Sequence, residues 1–92
     1  MVNYNAKDVE DYLDFVSALM RKWGLKPRGA LYKKIFKLVD DVLEAISKEN
    51  GFKTKAEAVG KIPLTTKLGD KSLARFNQLK EFIKAEERKH LN

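Results

Sequence analysis

Apolar side chains recur every three or four positions through the first half of this chain, and polar ones fill the gaps between them. Val9, Tyr12, Leu13, Val16, Leu19, Met20 and Trp23 fall on one stripe of a 3.6-residue period, which predicts a first helix over 6–23. Asn5 is placed to cap it, Asp8 stands in the first turn where the helix dipole favours a carboxylate, and Arg21 and Lys22 stand in the last. Gly24 supplies a left-handed stop, with Leu25 placed to fold back. Pro27 suits the chain entering a second helix over 29–50, whose stripe is Leu31, Ile35, Leu38, Val39, Val42, Leu43 and Ile46. Tyr32 and Phe36 widen that stripe on one side, and Gly51 and Phe52 close the helix. The pairs Lys37–Asp41 and Glu44–Lys48, each four apart, are expected to bridge on its outer face.

Beyond Gly51 the period fades. Thr54 to Glu57 reads as a capping box that opens a short helix near 55–60, stopped by Gly60 and Pro63. Residues 62–69 have no helical period and form a connection that Ile62, Leu64 and Leu68 are expected to pin to the core. Asp70 or Ser72 then caps a last helix over 71–88, with Leu73, Phe76, Leu79, Phe82 and Ile83 on its buried side. The expected fold is all-α: one domain over 1–92, built as a bundle of three main helices and a short fourth, with 1–4 and 89–92 frayed.

Length and composition narrow the function without naming it. Ninety-two residues suffice for one core, and 43% apolar content suffices to fold it. With no cysteine there are no disulfides, thiolates or cysteine-ligated metals. The beginning of the chain meets acidic residues by position 8 and has no apolar core of a signal peptide, and no run is long enough to span a bilayer. A cytoplasmic protein without membrane contact is the expectation. Abundant Lys and Glu with scarce Ser, Thr and Gln resembles the composition of heat-adapted proteins, in which lysine serves stability as well as recognition.

The net charge of +6 is segregated. No acidic residue occurs between Asp14 and Asp40, and Arg21, Lys22, Lys26, Arg28, Lys33, Lys34 and Lys37 all fall in that gap. A corner between antiparallel helices gathers these cations beside the free backbone amides that start the second helix, which is an arrangement suited to phosphates. The bland alternative is a solvated corner whose lysines keep the protein soluble. Lys80, Lys84 and Arg88 repeat every four residues as a second basic track, with Lys67, Lys71 and Arg75 at the start of the same helix. Its alternative is a set of lysines bordering the core with their heads in water.

Trp23 and Tyr32 flank the basic corner and offer stacking faces, although their place on apolar stripes points to core packing. Phe15 lies about 90° from the centre of its stripe and is the ring expected to be partly exposed. Enzymatic readings find little. The pairs Glu10/Asp14 and Asp40/Glu44 lie on hydrophilic faces, His90 is the only histidine, and no phosphate-binding loop or dinucleotide fingerprint occurs. The helix order suits a helix-turn-helix, but the element after the second helix is interrupted by Gly60 and Pro63. The expected function is therefore a non-enzymatic basic module, without cofactor, metal or small-molecule substrate. It contacts nucleic-acid phosphates as a small subunit of a larger DNA- or RNA-processing assembly. The other reading is a protein–protein adaptor that docks through Phe15, Tyr32, Phe36 or Phe82 and needs no nucleic acid.

Overall fold

A computed structural model of the chain describes residues 4–90, which form four helices and no strand. The first, α1 (Ala6–Lys22), opens on a capping box: the Asp8 N–H donates to the Asn5 side chain at 3.0 Å, and the Asn5 N–H donates to the Asp8 carboxylate at 2.8 Å. The two amides ahead of Asp8 are bonded from further away. Ala6 and Lys7 donate to the carbonyls of Thr66 and Leu64 at 2.8 and 3.0 Å, and the Leu68 N–H donates to the Tyr4 carbonyl at 3.0 Å. The 62–68 connection thus lies antiparallel beside the chain entering α1, and it anchors itself through backbone groups. Ile62 and Leu68 pack against the core, but Leu64 points outward at 46% exposure, so its carbonyl and not its side chain makes the pin.

Both long helices of the first half end in the same motif. Gly24 takes φ 64°, its N–H donates to the Arg21 carbonyl, and the Leu25 N–H reaches back to Met20 at 3.0 Å. Gly51, at φ 76°, ends α2 (Ala30–Glu49) with the Phe52 N–H on the Ser47 carbonyl at 2.9 Å. The short α3 (Lys55–Lys61) starts on the Thr54 hydroxyl, which accepts from the Glu57 N–H at 3.1 Å. Gly60 stays inside the helix, and the chain turns extended only at Ile62, before Pro63.

The last helix, α4 (Asp70–Lys89), is capped by neither Asp70 nor Ser72. Its cap is the Glu49 carboxylate at the end of α2, which accepts from the backbone of Lys71 and Ser72 and from the Ser72 hydroxyl. This contact fixes α2 antiparallel to α4. Tyr4 and Tyr12 set their rings edge-on to Phe76 at 5.1 and 5.5 Å, while Trp23 lies beside His90, so α1 and α4 run in the same direction. Between the three helices sit Val9, Val16 and Leu19, then Ile35, Val42 and Ile46, then Phe76, Leu79 and Ile83, all buried. Each large side chain in that set contributes about 1.5–3 kcal/mol by leaving water.

Of the expected bridges on α2, Glu44–Lys48 forms at 2.9 Å. Lys37–Asp41 does not, and the neighbouring Asp40 instead takes Lys55 from the start of α3 at 2.5 Å. Of the ends expected to fray, 1–3 and 91–92 lie outside the described residues. Tyr4 is bonded to Leu68, Lys89 closes α4, and His90 is that helix's C-cap.

Candidate nucleic-acid interface

Arg21 and Lys22 close α1, Lys26 and Arg28 occupy the turn, and Lys33, Lys34 and Lys37 follow on the first half of α2. All seven are exposed, and none lies within 4 Å of a carboxylate among the described residues. Elsewhere Lys7, Lys48, Lys55 and Lys61 each have an acidic partner, as does Lys89 at the end of α4, while Lys53, Lys67, Lys71 and Arg75 have none within 4 Å among the described residues.

The end of α4 joins this corner through two ring contacts. Trp23 stacks on His90 with centroids 4.2 Å apart and planes 11° from parallel, and the Lys34 ammonium stands 6.0 Å from the centre of the Phe82 ring. Lys84 and Arg88, exposed and unpaired among the described residues, therefore share the end occupied by the first seven cations. Residues 15–39 and 81–90 hold ten Lys and Arg and only three carboxylates, Glu81, Glu86 and Glu87, a local charge of +7. The remaining nine cations meet ten carboxylates, which leaves −1 for everything else. The net positive charge of the chain is thus carried at this end.

Lys80 does not share this placement. It is half-buried, its ammonium lies 4.2 Å from the centre of the Tyr4 ring and 5.3 Å from that of Phe76, and it donates to the Tyr4 hydroxyl at 2.5 Å. It belongs to the aromatic cluster under α1 and not to an outward track with Lys84 and Arg88. Lys67 lies in the connection before α4, beside Asn5, and Lys71 and Arg75 lie on the first turns of α4, at its opposite end. There Lys71 and Arg75 line a cleft of about 930 Å³ in company with Asp41, Glu44, Glu49 and Asp70. The second track thus divides by position, and only its C-terminal members reach the basic end.

The start of α2 is open in a way the other long helices are not. Gly29 is its N-cap and offers no side chain, and the amides of Ala30, Leu31 and Tyr32 have no hydrogen-bond partner among the described residues. At α1 the corresponding groups are taken by Asn5, Thr66 and Leu64, and at α4 Glu49 covers two of them. Exposed amides and the positive end of the α2 dipole add to the charge of the adjacent side chains.

The rings separate into packed and presented ones. Trp23 and Phe82 are half-buried against the core, so neither is free to stack or dock. Phe15 is 43% exposed beside Tyr12, in line with its place off the stripe, and Phe36 on α2 is more exposed still, at 58%. Phe36 lies parallel to the half-buried Tyr32 within 10°, with centroids 6.4 Å apart. The carboxylates of the Asp40/Glu44 pair hold lysines: Asp40 holds Lys55, and the Lys48 ammonium on Glu44 keeps that carboxyl below its ordinary value. No group of three or more potential metal ligands occurs among the described residues. No described helix is long and apolar enough to cross a membrane. No protein-family description, no curated protein and no solved structure matches this chain.

Proposed function

We propose that this chain is a non-enzymatic accessory module that binds nucleic acid through phosphate contacts, as a small subunit of a larger nucleic-acid-processing assembly. The observation that carries the reading is the unpaired state of the cations at one end of the bundle. Lys7, Lys48, Lys55 and Lys61 elsewhere are each paired with a carboxylate, whereas Arg21, Lys22, Lys26, Arg28, Lys33, Lys34 and Lys37 stand together, exposed, with none among the described residues. Like charges crowded together destabilise the compact state slightly and attract polyanions, and release of counterions from the polyanion drives the association. Lys84 and Arg88 extend the same surface from α4. The test is binding of a labelled DNA or RNA strand by wild type and by Lys33→Glu/Lys34→Glu/Lys37→Glu across a salt series. A loss of affinity with a shallower salt slope supports the reading; unchanged affinity and slope overturn it.

The exposure of Phe36 and Phe15 favours a second reading, an adaptor that docks on a protein through these rings. On that reading wild type shows no salt-dependent affinity for either nucleic acid.

A further inference from the structure

Phosphates occur in duplexes and single strands alike, so cations alone do not distinguish the two. The side chain standing among them does. Phe36 is 58% exposed, the most exposed aromatic of the described chain, and Tyr32 one turn earlier holds a ring parallel to it. Lys33 and Lys37 both lie to one side of Phe36, at about 60° and 100° around α2, given 100° per residue, and neither ammonium has a carboxylate partner among the described residues. A flat apolar face beside unpaired cations matches the chemistry of an unstacked strand, which presents its bases along one side and its phosphates along the other. In a duplex the base faces are covered by their neighbours, and a projecting phenyl ring meets none of them. Trp23, another ring at this end, is covered by His90.

We infer that the basic end is a single-strand site in which Phe36, backed by Tyr32, stacks on an unpaired base while Lys33 and Lys37, beside it, hold phosphates of the same strand. This rests on the phosphate-binding reading above, and the experiment separates the two. Labelled oligo(dT), oligo(U) and a DNA duplex of equal length are titrated with wild type, Phe36→Ala, and Lys33→Glu/Lys34→Glu/Lys37→Glu. Wild type is expected to bind at least one of the single strands about tenfold or more tighter than the duplex. Phe36→Ala is expected to weaken that single-strand binding about tenfold with the salt slope and the duplex affinity unchanged. The triple variant weakens all three and lowers the slope. Because Phe36 is exposed, the alanine variant keeps the fold, which its thermal melt verifies, and Phe36→Trp restores single-strand affinity. A duplex bound as tightly as the strands, or strand affinity indifferent to Phe36→Ala, overturns the single-strand site and leaves the phosphate reading standing. No binding to any of the three overturns both.

Discussion

The carboxylate of Glu49 closes the first turn of α4 from 23 residues away, accepting the Ser72 N–H at 2.9 Å and the Lys71 N–H at 3.2 Å. A side chain acting as a cap from another helix ties the two antiparallel neighbours together at one end. Gly69, the backbone N-cap, is what lets it approach, since a Cβ built there runs into the Glu49 carboxylate. Glu49→Ala removes the acceptor and Gly69→Ala displaces it, so each is expected to lower stability by about 1 kcal/mol, the ordinary worth of a cap. Combining them should cost little more than one alone, because both remove the same bonds. Urea unfolding of the two single variants and the double variant measures this, and full additivity contradicts the shared cap.

The same carboxylate makes a pH prediction. Partial burial pushes the Glu49 carboxyl up, but the hydrogen bonds from the Ser72 hydroxyl and from the backbone of Ser72 and Lys71 outweigh it and hold the group below its ordinary value of 4.5. A carboxyl depressed in the folded state gives stability that is present above 4.5 and diminishes as pH falls through the folded value. The stability gap between wild type and Glu49→Gln is therefore expected to be constant near neutrality and to shrink below about pH 4.5. The gap is modest, because the side chain is partly exposed and solvent screens it. Denaturant melts of both proteins from pH 7 to pH 3 measure it.

This cap also marks where sequence reading stops. Asn5, Gly24, Gly51 and Thr54 act within five residues of their partners, so their motifs are legible in the local pattern, and the helix ends they set fall within a residue or two of expectation. Glu49 is a partner brought by tertiary packing, and nothing near Asp70 announces it. The same physics explains the bonds from the 62–68 connection to the first turn of α1, the diversion of Asp40 to Lys55, and the turn of Lys80 onto Tyr4 and Phe76. Of the basic end, the charge gap between Asp14 and Asp40 is visible along the chain. That α4 delivers Lys84 and Arg88 to it, through Trp23 on His90, depends on helix direction, which periodicity does not encode.

Tyr12 provides a test at the other end of the pH scale. Burial against the core raises its phenol to about 12, and the nearby Glu87 carboxylate adds to the shift. A phenol kept protonated by the fold gives stability that is complete below pH 10 and declines as pH rises from 10 toward 12, since the unfolded chain ionises first. Tyr12→Phe is expected to remove that component. Measured as the difference between wild type and variant, the alkaline decline of stability should be steeper in wild type over this interval. Parallel curves contradict the burial of the hydroxyl.

Position along α4 decides the last prediction. Lys84 and Arg88 lie at the basic end, while Lys67 and Arg75 lie at the end where Glu49 and Asp70 also sit, yet each pair removes two charges when replaced. If only total charge mattered, Lys84→Ala/Arg88→Ala and Lys67→Ala/Arg75→Ala would weaken nucleic-acid binding equally. A localised surface predicts otherwise. The first pair should reduce affinity and flatten the salt dependence by about 0.7 in slope for each single-strand phosphate that is no longer neutralised, while the second leaves the slope unchanged. Lys80→Ala is expected to behave like the second pair in binding, and to lower stability by about 1 kcal/mol because no ammonium then sits on the Tyr4 and Phe76 rings. Salt titrations of the three variants against one labelled strand decide it, and equal slopes for the two pairs remove the case for a directed basic face.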